Sequence, residues 1–204
     1  MLAIFSLIVL FFSIMLHEIA HGSMALRLGD PTAKYAGRLT LNPLKHIDPL
    51  GTIMLPLILL VVTAGRGPII GWAKPVPINP FNFTDQRWGS LKVSLAGPAV
   101  NFLVAGFFGL AIRFVYLPDS LFLLFGIIVI YNFAWGLFNL VPISPLDGSH
   151  ILFSLLPAKY NQLKLFLQQY GLFILILFIF TGLDWIFRGA SFLFSVVAGQ
   201  PFAI

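Results

Sequence analysis

The chain has no cysteine, so neither a disulfide framework nor a thiolate metal site is open to it. Charge is scarce as well. Only 9% of residues are Asp, Glu, Lys or Arg, against 59% hydrophobic, where a soluble domain carries about a quarter charged residues. That balance excludes a water-soluble core, and residues 1–204 read as one compact membrane domain. Internal repeats, low-complexity tracts and a separate soluble domain are all lacking. The net charge of +5 does not call for nucleic acid, because in a membrane chain Lys and Arg set orientation. The opening run lacks the basic n-region and small-residue cleavage site of a secretory signal, and is read as retained.

What the chain does have is apolar length. Residues 2 to about 27 are long enough to span a bilayer, which takes about 20 residues. Further spans are expected at about 91–117, 120–141 and 166–187, with a short helical piece ending at Leu156. Residues 50–64 are apolar but short, and Pro56 interrupts them. A strand-like piece, "GRLTL", lies in the polar stretch before them, and "GWAKPVPINP" in the loop after. The expected fold is an all-α polytopic membrane protein: about four spanning helices, one re-entrant segment at 50–64, and short strands on the cytoplasmic side. Charge supports the re-entrant turn. With 50–64 turning back, Arg27, Lys34, Arg38, Lys45, Arg66, Lys74, Arg87, Lys92, Lys159 and Lys164 share one face, which the positive-inside rule makes cytoplasmic. A full crossing would split the first eight evenly between two sides.

The first span carries the chemistry. No charge precedes "HEIAH" in the run from Leu2 to Leu16, and ionisable groups in such a segment are costly and read as functional. On a helix His17 and His21 lie four apart, on one face, and can offer two imidazoles to one ion. Glu18 stands beside them to handle the proton of a water. H-E-x-x-H on a helix is an arrangement for zinc hydrolysis. Two histidines in register with an acid are hard to explain as ordinary core hydrogen bonding. From Leu2 to His17 is about 22 Å along a helix, which puts the site below the surface of a hydrocarbon core about 30 Å thick.

Catalytic zinc keeps three protein ligands and one open position. With Glu18 engaged, the candidates for the third are His46, His150, Asp30, Asp48, Asp85, Asp119, Asp147 and Asp184. Asp147 stands out in "FNLVPISPLDGSHIL", after a long apolar helix, where prolines and Gly148 free the backbone to re-aim a side chain. An Asp before Gly is also a common turn residue, and both readings stay open on the residues alone.

The chain resembles the site-2 protease family of intramembrane zinc metalloproteases, from the first helix to about Leu156. HEIAH is similar to the zinc-binding helix of that family, "NLVPISPLDG" to its second signature, and "SLAGPAVNF" to its Gly-Pro segment. "LNPLKHIDPLGT" and "GWAKPVPINP" are similar to a compact prokaryotic branch without a PDZ domain. The resemblance implies one zinc ion held by His17, His21 and Asp147, with Glu18 as catalytic base. It also implies an oxyanion role for Asn139, which could otherwise make a helix–helix hydrogen bond. Asn101 is a weaker candidate for the same role, or part of a close-packing seam with Gly97. The implied activity is peptide-bond hydrolysis within a transmembrane protein substrate, in a multi-pass cell-membrane enzyme whose site lies towards the cytoplasm. Its partners are then the bilayer and the substrate.

Other roles are open. "GRLTL" or the Pro-rich loop could pair with an extended substrate, or only seal the cytoplasmic face. His46 and Asp48 suit support of the site's ligands, a gating role or local backbone satisfaction, and His150 suits a helix start or the tuning of Asp147 one turn away. The alternatives for the whole chain are a catalytically silent relative that binds membrane proteins, or a metal transporter. The first should have lost Glu18 or a ligand. The second needs polar groups along several helices.

Overall fold

Leu2–Arg27 contains no proline and no charge before Glu18, so nothing interrupts its backbone ladder, and it forms one helix, α1. In a computed structural model that describes residues 2–62 and 73–202, α1 stops where Gly29 takes a φ of +101°, a conformation that costs glycine little. A single turn, α2 (Thr32–Tyr35), follows. A wide π-type turn at Pro49–Met54 then leads into α3 (Leu55–Val62). The remaining helices are α4 (Gly89–Phe114), α5 (Asp119–Leu140), α6 (Asp147–Leu155) and α7 (Asn161–Ala198). Among the described residues, α1, α4, α5 and α7 are long and apolar enough to cross a membrane. These are the four spans expected.

Side-chain contacts fix the helix directions. Asn101 on α4 reaches the Ser13 carbonyl, while Val93, earlier on α4, meets His21, so α4 runs antiparallel to α1. Phe102 packs on Phe133 and Phe108 on Phe125, so α5 runs antiparallel to α4. Hence α1 and α5 are parallel, and the chain between α1 and α4 leaves and returns at one end of the bundle. Asp30 pins that end. It is buried and accepts from the Asn79 N–H (2.7 Å) and the Asn82 amide (2.8 Å). Burial by itself would raise its pKa, but hydrogen bonds from Thr32, Asn79 and Asn82 outweigh it and hold the carboxyl below the usual range. Thr84 adds backbone and hydroxyl bonds to the Leu28 carbonyl.

Within 50–64 the described part ends at Val62. Residues 49–62 make about 21 Å of helix, too short for a core of about 30 Å. Asp48 caps their start, accepting from the N–H groups of Leu50 and Gly51. His46 is buried with Nε2 on the Thr40 carbonyl. Both residues therefore serve the local backbone.

The expected strands are absent among the described residues. "GRLTL" begins at Gly37 with φ +64° and continues as bends. The extended stretch facing it carries Pro75 and Pro77, which lack the N–H a ladder needs. The Arg38 side chain joins the two instead, donating to the carbonyls of Lys74 and Pro75, while the Lys74 N–H donates to the carbonyl of His46 further along. The last helix is longer than the 166–187 expected. No proline occurs between Asn161 and Ala198, and α7 ends only at Gly199, with φ +75°.

Ala105, Val129, Ile130, Phe133, Ala134, Ala190 and Phe194 form the core of α4, α5 and α7. Apolar burial gives helices in lipid little drive to associate, so small residues that allow close approach carry the packing. A second cluster of Ala25, Phe83 and Val93 ties the loop before α4 to the end of α1. The polar residues described next lie where α1, α4 and α5 meet.

Candidate metal centre

The helical period places His17 and His21 on the face of α1 turned to α4, where both are buried. Asp147 comes from elsewhere. It opens α6, a position where helix termini favour an acid. Gly148 makes that placement possible: a Cβ there would lie 2.3 Å from the Leu140 carbonyl oxygen and 2.4 Å from that of Val141. The start of α6 therefore packs directly on the end of α5. Ser149 fastens the turn, its hydroxyl donating to the Leu146 carbonyl at 2.7 Å.

The result is a tight convergence. Asp147 Oδ2 lies 2.9 Å from His17 Nε2 and 3.1 Å from His21 Nε2, and the two Nε2 atoms are 2.9 Å apart. Among the described residues these three form the cluster able to hold a metal ion. His46, His150, Asp30 and Asp48, also weighed as third ligand, lie outside it. His150 is exposed on α6.

The hydrogen bonds behind the cluster decide what it can bind. His21 Nδ1 is 2.7 Å from the Val93 carbonyl oxygen, which only accepts, so Nδ1 carries the proton. His17 Nδ1 is 2.8 Å from Asn101 Oδ1. The orientation of Asn101 is fixed because its Nδ2 donates to the Ser13 carbonyl and to Asn132 Oδ1, both at 3.1 Å. Asn132 is held in turn by the Ile128 carbonyl. His17 Nδ1 is thus the donor as well. With both imidazoles neutral, the two Nε2 lone pairs then point at a carboxylate oxygen, and three acceptors crowd together. A cation resolves that repulsion, and neutral imidazole with an outer hydrogen bond is the form that ligates metal. Tetrahedral zinc with ligands at about 2.0–2.1 Å needs about 3.3 Å between them, so an outward shift of a few tenths of an ångström accommodates it. The residues fit the ion.

Gly97 supplies the room. A Cβ there would stand 2.5 Å from His21 Nε2 and 2.6 Å from His17 Nε2. Glu18 lies half-buried beside the cluster and accepts from the Val76 N–H at 2.8 Å. Asn139 is buried on the last turn of α5, its amide donating to the Trp135 carbonyl at 3.0 Å. Asn101 was the weaker oxyanion candidate, or part of a close-packing seam with Gly97; its side-chain oxygen accepts from His17 and orients that ring. The contacts of Val76 and Val93 are made by main-chain atoms, which leave no mark in the sequence. A polar Asn four residues after a Gly in an apolar helix was the available signal for Gly97 and Asn101.

Comparison with known proteins agrees with this geometry. The family model "Peptidase family M50" matches residues 117–181. The chain is 38% identical over 185 residues, 86% of its length and 80% of the relative's, to the "Putative zinc metalloprotease YwhC" of Bacillus subtilis. It is 31% identical over 188 residues, 90% of its length and 70% of the relative's, to the "Putative zinc metalloprotease Rip2" of Mycobacterium tuberculosis. A match of 26% identity covers 77% of this chain but 36% of the "Zinc metalloprotease MJ0392" of Methanocaldococcus jannaschii. No solved structure matches the chain significantly. Similarity that spans most of the chain and of the Bacillus and Mycobacterium relatives, together with candidate ligands converging from α1 and α6, identifies the chain as a member of the site-2 protease family of zinc metalloproteases, peptidase family M50.

Proposed function

We propose that this zinc metalloprotease cuts a peptide bond inside the membrane, in a transmembrane protein substrate, from a site facing the cytoplasm. The observation that carries the reading is the set of three convergent acceptors: His17 and His21 on α1, a helix long enough to cross a bilayer, and Asp147 at the start of the short α6. These three residues would hold one zinc ion, which when bound supplies a Lewis acid for the scissile carbonyl and makes a neighbouring water acidic. Glu18 takes a proton from the attacking water and delivers it to the leaving amine nitrogen. One oxygen of its carboxylate rests on the Val76 N–H, which orients the group and leaves the other oxygen for the water. Asn139 has a second amide N–H beyond the one given to Trp135, available to an oxyanion.

A helical substrate hides its peptide bonds and has to unwind before attack. With α1 and α5 parallel, a re-entrant 49–62 leaves the basic residues of both loops on one face, which the positive-inside rule makes cytoplasmic. The intact Glu18 and ligand set disfavours a silent relative. A transporter would need polar groups spread along a route, and the buried Asn101 and Asn132 here serve His17.

The test is co-expression with a single-span substrate, and cleavage by purified protein in vesicles. Glu18→Gln should keep zinc and lose cleavage, while His17→Ala, His21→Ala and Asp147→Ala should lose both. Cleavage at the wild-type rate by Glu18→Gln would remove the base assignment. Zinc flux in proteoliposomes without proteolysis would favour transport.

A further inference from the structure

Among the described residues three buried side-chain nitrogens have no hydrogen-bond partner: Arg38 Nε, His46 Nδ1 and Trp135 Nε1. The first two belong to the loop between α2 and α3. Trp135 is different, because it stands at the metal cluster. Its ring meets that of His17 edge-on, with centroids 6.3 Å apart and planes at 72°. Phe138 stacks on it at 5.8 Å.

Packing explains the ring but not the nitrogen. Phe133 and Phe138 fill neighbouring positions of α5 with apolar rings, and a phenyl group at 135 would pack without burying a donor. An indole N–H only donates, and leaving it buried without an acceptor is unfavourable. Among the described residues none lies within hydrogen-bond distance of it. His17 Nδ1 is itself a donor, His17 Nε2 faces the cluster, and Asn139 donates to the Trp135 carbonyl.

A substrate would bring the missing group. Once a transmembrane segment unwinds, its carbonyl oxygens lose their helical N–H partners in a medium with little water, and each needs a donor. We propose that the Trp135 indole N–H binds a main-chain carbonyl oxygen of the unwound substrate next to the scissile bond. This inference rests on the protease reading above. It makes Trp135 a substrate-binding group on the α5 face that also carries Asn139, one turn later.

The test uses full-length, zinc-loaded Glu18→Gln protein labelled with ¹⁵N-indole tryptophan, in micelles, titrated with an unlabelled single-span substrate peptide. The chain has four tryptophans. The Trp135 signal is assigned by its loss in Trp135→Phe, or by elimination with Trp72→Phe, Trp88→Phe and Trp185→Phe if that variant does not fold. The Trp135 proton should move downfield as substrate saturates. In the otherwise wild-type enzyme, Trp135→Phe should lower kcat/KM roughly five- to tenfold, the scale of one hydrogen bond, with zinc content unchanged. An indole signal that ignores saturating substrate, or a Trp135→Phe enzyme with wild-type kcat/KM, overturns the inference while leaving the protease reading intact. A wild-type protein that does not cleave the peptide removes the protease reading instead.

Discussion

Gly97→Ala adds one methyl group and should dismantle the metal centre. The added Cβ would stand 2.5 Å from His21 Nε2 and 2.6 Å from both Cε1 and Nε2 of His17. Ordinary contact is near 3.4 Å, so the two rings must withdraw by about 0.8–0.9 Å or α4 must move away. Metal sites tolerate about 0.2 Å in ligand distance. A misplacement of about 1 Å costs on the order of a hundredfold in catalysis, and overpacking adds about 1–3 kcal/mol of destabilisation. Withdrawal also strains the bonds from His17 to Asn101 and from His21 to Val93. Gly106, nine residues further along α4, is the control, since a Cβ there meets nothing within 4 Å. Gly106→Ala should be neutral or stabilise the helix by up to about 1 kcal/mol. Zinc per chain, by mass spectrometry after size exclusion in detergent, and peptide cleavage in vesicles are the assays. Gly97→Ala should fall to a small fraction of one zinc with cleavage near background, while Gly106→Ala keeps both. Full zinc and wild-type cleavage in Gly97→Ala would refute the close approach of α4 to the imidazoles, and equal losses in both variants would point to α4 as a whole.

Asn101→Ala removes the acceptor that fixes the His17 tautomer; zinc affinity by chelator competition should drop about ten- to hundredfold, and an unchanged midpoint would contradict that role. Val76→Pro deletes the N–H that orients Glu18, a charge-assisted bond of about 1.5–3 kcal/mol. Its kcat should fall about ten- to hundredfold with zinc content intact, and a normal kcat would leave that contact without catalytic meaning. Asp30 has its carboxyl held low in the fold, so its contribution to stability is complete above the unfolded value of about 3.9 and is lost as pH falls through the lower folded value. Asp30→Asn should lower the melting temperature at pH 7, by the loss of about 1–3 kcal/mol, and narrow its gap to wild type in acid; a gap that widens as pH falls would reverse the sign of the argument.

The pairing of His17 and His21 was the most legible part of the candidate site, because a four-residue spacing on a helix translates directly into geometry. Asp147 was legible as a candidate only; that Gly148 presses α6 against the end of α5 is a fact of packing between segments. The fold was legible through apolar length, and the parallel course of α1 and α5 through the need for both signatures to meet. Strands failed as an expectation because β-like residues at 37–41 require a partner, and Pro75 and Pro77 remove donors from the stretch opposite. The expected 166–187 falls inside α7, where no proline stops the helix before Ala198. Gly171 is a contact point, where a Cβ would lie 2.5 Å from the Ser144 carbonyl oxygen. The bond from Val76 to Glu18 joins residues 58 apart in the chain through a main-chain atom, and no side-chain pattern announces it.

X-ray absorption at the zinc edge of the purified protein tests the central claim most directly. It should show one zinc per chain with two imidazole nitrogens and carboxylate oxygen at about 2.0–2.1 Å, and Asp147→Ala should lose the metal or replace the carboxylate by solvent. A zinc-free protein that remains proteolytic, or a zinc environment without imidazole, would contradict it.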